Sequence, residues 1–383
     1  MRVSIHRSRQ PPWRYGNRFR LLEDGERFFP RMLEAIDAAR EYVLLEMYLV
    51  ESGSVADRFV DALSRAASRG VRVAVVLDGF GSLGLRAADR ARLTESGVEL
   101  RFYNALGLGK RLRNLMRDHR KLLLVDGQVA FVGGAGLTDD FHRDGQPDET
   151  WRELMVEIEG PVVEDWQRAF DDVWRRAGGR PDWPQRSARA FPDGAAGRVV
   201  LSDGWHRSPL ADSVAHRLRT ARERAWVMSA YFVPSRRFRK LLRRAAYRGV
   251  DVRVLVPGPR TDHPAVRRAA RRFYGKLLRN GVRIFEYQPR VLHGKMVICD
   301  DWVSIGSSNL DRWGFEWNLE ANQEIEHRPF ANLAAHAFVR DCREAEELDP
   351  RTWHRRGRME RLRERIAGAI DRVLQRWRRP RHP

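Results

Sequence analysis

Two stretches of the sequence decide the fold: HRKLLLVDGQVAFVGG at residues 119–134 and HGKMVICDDWVSIGSS at residues 293–308. Each contains two short apolar runs that are separated by an Asp-containing turn and end in Gly or Ser. Such runs are typical of strands in a sheet that is covered on both faces. The recurrence of so similar a stretch far along the same chain indicates a duplicated unit.

The similarity continues outward from these stretches. Residues 38–82 and 221–262 each contain a helix end, an apolar strand, a second helix and a Val-rich strand. In both copies a glycine, Gly70 or Gly249, stands between the second helix and the second strand, where it suits a helix C-cap. Alternating strands and helices predict an α/β fold of two duplicated lobes, each a mixed β-sheet flanked by helices.

The length and composition agree with two fused lobes. The chain has 383 residues, of which 43% are hydrophobic, enough for a real core. We expect a first lobe at residues 1–174, a linker rich in Pro, Gly and Arg at residues 175–198, a second lobe at residues 199–347 and a basic tail at residues 348–383. Only two cysteines occur, which excludes a disulfide framework and favours reduced thiols.

The charge of the chain is strongly positive. It has 71 Lys and Arg against 51 Asp and Glu, a formal net charge of +20. Such an excess attracts polyanions, and composition alone leaves nucleic acid and an anionic membrane both open. The basic, polar N-terminus predicts no signal peptide, and no run approaches the ~18 apolar residues of a membrane-spanning helix.

Both stretches begin with the same chemical pattern, His-x-Lys-x4-Asp. A His and a Lys two residues apart on a strand point to the same face, so each copy presents an imidazole beside an ammonium group. Small residues behind each copy allow a bulky anion to approach the backbone. The candidate catalytic residues are His119, Lys121, Asp126, His293, Lys295 and Asp300. The candidate supporting residues of the second stretch are Ser307, Ser308 and Asn309.

This combination suits transfer at a phosphodiester. One imidazole can attack phosphorus and form a phosphohistidine, while the other protonates the leaving alcohol and later deprotonates the acceptor. The two lysines would hold the non-bridging oxygens. We expect no metal, because the lysines already supply positive charge and would repel a cation.

The two motifs, the duplicated lobes and the Gly/Ser-Asn turn resemble the phospholipase D superfamily over about residues 25–345. Residues 292–322, and the string NLEAN at residues 318–322 above all, resemble the bacterial cardiolipin synthases that lack N-terminal membrane spans. The resemblance implies one active site at the lobe interface, a ping-pong mechanism and no cofactor.

The resemblance also implies roles for individual residues. In related enzymes the histidine of the first motif, here His119, is the nucleophile, and that of the second, here His293, is the general acid and base. The family pairs each histidine with a carboxylate of the opposite lobe. By position these are Glu320 for His119 and Glu153 for His293, where they would orient the imidazoles.

The tail predicts contact with a membrane. Between residues 353 and 377 apolar side chains recur three or four positions apart with arginines between them, so a helix here would be strongly amphipathic. Residues 351–383 contain twelve arginines and three acidic residues. The alternative is that the apolar stripe packs on the enzyme body. The candidate membrane-binding residues are Trp353, Arg355, Arg356, Trp377 and Arg378.

With these features, the resemblance implies a cardiolipin synthase that transfers a phosphatidyl group between two phosphatidylglycerol molecules, and the identity of both lipids rests on the resemblance alone. Its partner would be the anionic phospholipid surface at the cytoplasmic face of the bacterial cell membrane, where it would bind peripherally. Three alternatives remain at this point: a phospholipase D hydrolase or another phosphatidyltransferase, a nuclease of the same superfamily, and a basic membrane-binding protein without activity. Nucleic acid is not expected, because no base-stacking aromatic array is present.

Overall fold

The apolar runs of the sequence form strands in the computed structural model, which describes residues 11–107, 109, 114–203, 208–309 and 318–353. The strands of the first lobe are β1 (Arg14–Glu23), β2 (Tyr42–Met47), β3 (Arg72–Asp78), β4 (Glu99–Tyr103), β5 (Lys121–Val125), β6 (Val129–Gly133) and β7 (Leu154–Glu159). Those of the second are β8 (Ala195–Ser202), β9 (Arg224–Met228), β10 (Asp251–Pro257), β11 (Arg283–Tyr287), β12 (Met296–Cys299), β13 (Trp302–Gly306), β14 (Glu320–Glu326) and β15 (Ala345–Glu347).

Helices connect these strands in both lobes. Those of the first lobe are α1 (Gly25–Ala38), α2 (Ser54–Ser68), α3 (Ala87–Glu95) and α4 (Val163–Arg176). Those of the second are α5 (Pro209–Thr220), α6 (Arg236–Tyr247), α7 (Pro264–Arg271), α8 (Tyr274–Leu278) and α9 (Arg328–Arg343). The predicted glycines do end α2 and α6: Gly70 and Gly249 both have a φ of 86°, a conformation that glycine adopts at little cost.

The strands form one continuous sheet in the order β4-β3-β2-β5-β6-β7-β1-β8-β14-β13-β12-β9-β10-β11-β15. Read outward from its centre, each half repeats the same order, and β15 is an additional edge strand. Three strands of each half run parallel and the others pair antiparallel, so each half is mixed. The predicted duplicated α/β fold is therefore confirmed.

The two halves join where β1 pairs with β8, at Arg14 opposite Gly197 and Asn17 opposite Ala195. Strand β8 begins inside the predicted linker, and α4 extends into its other end. The stretch between them packs on the first lobe. Trp183, for example, is buried, and its indole N–H donates to Asp171 over 2.9 Å.

Three clusters of buried residues fill the molecule. Helices α1 to α3 cover the outer face of the first half-sheet, and helices α5 to α8 cover that of the second. Helices α4 and α9 share a third cluster, which reaches across both halves. There the indole N–H of Trp166 donates to Oε1 of Gln323 over 2.8 Å, a buried bond between the lobes.

The structure corrects the prediction that Trp353 binds a membrane. This side chain is only 5% exposed and packs on Tyr274 of α8, with 5.7 Å between the ring centroids. The guanidinium group of Arg271 lies over its ring at 4.8 Å. The apolar stripe therefore begins as part of the second lobe's core. The other candidates, Arg355, Arg356, Trp377 and Arg378, lie outside the described residues. Within the described residues, none of the helices combines the length and the apolar character that crossing a bilayer requires.

Candidate active site

The two motifs meet at the boundary between the lobes, where backbone hydrogen bonds fix their positions. The N–H of His119 donates to the carbonyl of Leu319 in the second lobe over 3.0 Å. In the same way, the N–H of His293 donates to the carbonyl of Arg152 in the first lobe over 2.8 Å. Each of these carbonyls belongs to the residue just before a buried glutamate. The sheet register thus places each histidine beside a glutamate of the opposite lobe.

The first pair consists of His119 and Glu320. Nδ1 of the imidazole lies 3.1 Å from the carboxylate. The hydroxyl of Ser307 donates to the same carboxylate and accepts from the backbone N–H of Ala321 over 3.1 Å. Because a carboxylate only accepts, Nδ1 carries the proton and the lone pair of Nε2 is free to attack an electrophile.

The second pair consists of His293 and Glu153, with 2.6 Å between Nδ1 and Oε2. Glu153 also accepts from the backbone N–H of Leu154 over 2.8 Å, and its Oε2 lies 3.5 Å from the ammonium group of Lys295. Gly134 occupies the place that Ser307 has in the other half. A Cβ there would stand 2.3 Å from the carboxylate, so glycine makes room for Glu153 without offering a hydroxyl. The two pairs are therefore not chemically equivalent.

Both lysines are buried beside their histidines. Nζ of Lys121 donates to the carbonyl of His119 over 2.6 Å and lies 5.0 Å from the centroid of the Tyr48 ring. Nζ of Lys295 donates to the carbonyl of His293. The two ammonium groups thus line the same crevice as the imidazoles, where they can hold the non-bridging oxygens of a phosphodiester.

Burial disfavours the charged forms of the lysine, the glutamate and the two histidines of the site. It lowers the pKa of Lys121 to about 7 and raises the pKa of Glu153 to about 7. Burial likewise lowers the pKa of His119 and, together with the charge of Lys295, holds the pKa of His293 well below its usual range. The site can therefore donate and accept protons near pH 7.

Aromatic side chains enclose the imidazoles. The ring of His293 lies 5.4 Å from that of Phe141 and 5.2 Å from that of Trp151, and the ring of His119 lies 4.7 Å from that of Tyr48. These rings exclude water and strengthen the electrostatic interactions inside the crevice. The sequence pattern gave no signal for them, because they lie outside the repeated motifs.

The small residues after β13 brace the turn behind the site. The N–H of Ser308 donates to Oδ1 of Asn322 over 3.2 Å, and Oδ1 of Asn309 accepts from the N–H of Tyr231 over 3.3 Å. Together with the Ser307 hydroxyl on Glu320, these contacts tie the turn to β14 and to the segment after β9, and a supporting role for Ser307, Ser308 and Asn309 stays a prediction.

The structure corrects the assignment of Asp126 and Asp300 as catalytic residues. Asp126 follows β5, at the end away from Lys121, about 16 Å along a strand that rises about 3.3 Å per residue. Its carboxylate accepts from the backbone N–H groups of Arg40, Glu41 and Tyr42 at 2.8 to 2.9 Å. Asp300 accepts in the same way from residues 222–224. Both aspartates therefore tie the β-turn to the start of a neighbouring strand.

We expect Asp126→Ala to lower stability and to leave the turnover of the folded enzyme nearly unchanged. The variant leaves three backbone donors without their charged acceptor, which should cost about 3 kcal/mol in the free energy of unfolding. Urea unfolding together with activity per folded molecule measures both effects. A catalytic role for this aspartate requires the opposite result, an unchanged midpoint with lost activity.

Arg152 is a functional candidate that sequence reasoning missed. Its side chain is 3% exposed and forms ion pairs with Glu23 at 2.6 Å, Asp24 at 3.3 Å and Asp341 at 3.0 Å. These partners come from both lobes, so Arg152 fixes the segment that carries Glu153. Its counterpart in the repeat is Leu319, and for this reason the duplication gave no hint of its role.

Comparison with known proteins agrees with this geometry. The family model described as cardiolipin synthase, PLD-like domain matches residues 32–174 and 214–342. Cardiolipin synthase B of Salmonella typhimurium is 36% identical over 356 residues, which cover 89% of this chain and 86% of the relative. Cardiolipin synthase A of Pseudomonas putida is 34% identical over 362 residues, 94% of this chain and 75% of the relative.

Solved structures support the same fold at low identity. The phosphatidylserine synthase of Haemophilus influenzae superposes with a TM-score of 0.71 at 12% identity and covers 93% of both chains. The polyphosphate kinase of Porphyromonas gingivalis gives a TM-score of 0.59 at 16% identity, over 87% of this chain and 49% of the kinase. These two likenesses concern the fold alone, whereas the family match and the sequence relatives extend over most of the chain. The chain belongs to the cardiolipin synthase family of phospholipase D-like proteins.

Proposed function

We propose that this protein is a phosphatidyltransferase that makes cardiolipin and glycerol from two molecules of phosphatidylglycerol. One observation carries the proposal: two His-Lys pairs line one crevice, and each imidazole contacts a carboxylate of the opposite lobe. Such a pair of imidazoles suits double displacement at phosphorus. The names of the relatives supply cardiolipin as the product, and phosphatidylglycerol as donor and acceptor is part of the proposal.

In the first displacement, Nε2 of His119 attacks the phosphorus of the donor lipid. The bond from phosphorus to the glycerol headgroup breaks, and the leaving oxygen takes a proton from Nε2 of His293. Glu153, whose pKa burial raises to about 7, can replace that proton by giving its own to Nδ1 of His293. The diacylglycerol phosphate is then held on His119 as a phosphohistidine.

The second displacement reverses these roles. A hydroxyl of the second lipid's glycerol headgroup gives its proton to Nε2 of His293 and attacks the phosphorus. The bond between phosphorus and His119 breaks, and cardiolipin leaves. Lys121 and Lys295 stabilise the additional negative charge on the non-bridging oxygens in both steps. Water in place of the second lipid would give phosphatidic acid from the same site.

We further propose that the enzyme works as a peripheral protein on the anionic lipid of the cytoplasmic face of the cell membrane. The net charge of +20 supports attraction to such a surface. A substrate that remains anchored in the bilayer by its acyl chains also requires the enzyme to work there.

Incubation of the purified protein with mixed micelles of phosphatidylglycerol, without added metal, tests the proposal through the masses of the lipid products. We expect cardiolipin and free glycerol in equal amounts, because each transfer releases one glycerol. Phosphatidic acid as the only product would identify a hydrolase instead. Cleavage of nucleic acid, with no turnover of lipid in the same buffer, would place the chemistry on another substrate.

A further inference from the structure

Exposed apolar side chains stand together on two adjacent loops of the first lobe. Phe80 is 50% exposed, Leu83 is 58% exposed and Leu106 is 49% exposed. Phe80 and Leu83 follow β3, and Leu106 follows β4, its parallel neighbour in the sheet. We call these three residues the apolar rim. Large apolar side chains that gather at one place on a surface indicate an interaction site.

The loops of the apolar rim are fixed in position. Oδ1 of Asp78 accepts from the N–H groups of Phe80, over 2.9 Å, and Gly81, over 3.0 Å. The two loops also touch: a Cβ on Gly79 would lie 2.4 Å from Cα of Ala105, so only glycine permits this approach. The exposed side chains are therefore presented by a braced backbone.

The same bracing connects the apolar rim to the catalytic crevice. Oδ2 of Asp78 accepts from the N–H of Asp118, the residue before His119, over 2.9 Å. Gly81 packs on Tyr48, where an added Cβ would lie 3.0 Å from the ring, and that ring stands 4.7 Å from the ring of His119. The apolar rim thus lies at the edge of the sheet that carries His119, and Tyr48 connects the loop of Phe80 and Leu83 to this imidazole.

The duplicated fold offers an internal comparison. In the second lobe the backbone N–H of Gly258 donates to the carbonyl of Tyr287 over 2.9 Å. The N–H of Gly79 donates to the carbonyl of Tyr103 over 2.8 Å in the same way, so the loop after β10 begins like the loop after β3. There, however, the residues that follow are PRTDH at 259–263, and the hydroxyl of Tyr231 donates to Asp262. The counterpart of the apolar loop is polar, so duplication of the fold alone does not account for the exposed apolar side chains.

We propose that the apolar rim inserts into the headgroup layer of an anionic bilayer and holds the crevice against the membrane surface. This inference rests on the proposed function, since it supplies the means by which an anchored lipid reaches His119. The imidazole side chain is 15% exposed, so its target must come to the mouth of the crevice. A bilayer is the occupant because the apolar rim lies at the same edge of the sheet as this imidazole and the whole chain is strongly basic.

Binding to vesicles measures the contribution of the apolar rim directly. The variant Phe80→Ser/Leu83→Ser/Leu106→Ser is compared with the matched control Tyr15→Ser/Tyr247→Ser/Leu333→Ser, which removes three exposed apolar side chains elsewhere. We expect the first variant to sediment with phosphatidylglycerol vesicles at least about tenfold less at about 0.5 M NaCl, where charge attraction is screened. The control should bind as the unmodified protein does.

Measurements of lipid turnover and of the protein's molecular mass in solution distinguish failure of this inference from failure of the proposed function. Relative to turnover of soluble dihexanoyl phosphatidylglycerol, turnover of the vesicle lipid should fall by the same factor in the rim variant. Unchanged vesicle binding of the rim variant would overturn the inference. If light scattering also gave this variant a lower molecular mass than the unmodified protein, the apolar rim would be an interface between protein copies instead. If the unmodified protein turned over neither lipid while the rim variant still lost vesicle binding, the proposed function would fail. The assignment of the apolar rim as a membrane-binding surface would then be retained.

Discussion

The His293→Ala variant is expected to release one equivalent of p-nitrophenolate from phosphatidyl-p-nitrophenol and then to stop, whereas His119→Ala releases none. This leaving group needs no proton, so the first displacement can proceed without His293. The second displacement still needs a base, and the phosphohistidine therefore accumulates. Stopped-flow absorbance measures the burst, and the mass of the peptide that contains His119 shows the lipid phosphate it carries.

Phosphatidylglycerol itself is the control for this experiment. Its glycerol leaving group does require a proton, so both variants should lose at least about 10⁴-fold in turnover. A burst from His119→Ala in place of His293→Ala would exchange the two roles. Bursts from both variants would show that either histidine can act as the nucleophile, and the assignment of this role to His119 alone would then fail.

The Lys121→Met variant is expected to lose about 10²–10³-fold in kcat/KM and to change the pH profile of the enzyme. Burial lowers the pKa of Lys121 to about 7, so its ammonium form is present below that pH and is lost as the pH rises through it. In the unmodified enzyme kcat/KM should therefore fall above about pH 7. The negative charge of a bound phosphodiester favours the ammonium form, so kcat should persist to higher pH.

Rates measured from pH 5 to 9 with soluble short-chain phosphatidylglycerol test this expectation. The matched control is Lys240→Met, which removes an exposed lysine of α6 and should leave both profiles as they are. If kcat/KM still fell above about pH 7 in Lys121→Met, the loss of activity at high pH would belong to another group. Lys295, whose pKa burial also lowers, is the next candidate.

The repeat in the sequence predicted the duplicated mixed sheet because strand periodicity and Gly-capped helices are local properties. The alternation of a strand also placed His119 beside Lys121, since residues two apart share a face. The contact of each histidine with a glutamate of the other lobe came from family resemblance. Spacing could not supply it, because 201 residues separate His119 from Glu320.

The remaining features depend on tertiary packing that local patterns do not encode. The repeated His-x-Lys-x4-Asp spacing cannot tell whether the Asp126 carboxylate contacts a substrate or backbone N–H groups. The length of β5 does place Asp126 at the end of the strand away from Lys121. The apolar stripe that begins at Trp353 predicts that this side chain is buried against something, but it does not say against what. Its contacts are the ring of Tyr274 and the guanidinium group of Arg271. Arg152 has a leucine as its counterpart, so the repeat could not reveal it.

The exchange of carboxylates between the lobes has a consequence for the order in which this protein becomes active. During synthesis His119 is made as part of the first lobe, but the glutamate that orients this imidazole is added 201 residues later, next to the Leu319 carbonyl that accepts the His119 N–H. The partner of His293, by contrast, is Glu153, which belongs to the first lobe and is synthesised earlier. A truncated or half-folded chain therefore holds no complete pair of oriented histidines, and phosphodiester chemistry begins only when both halves have been made and have docked.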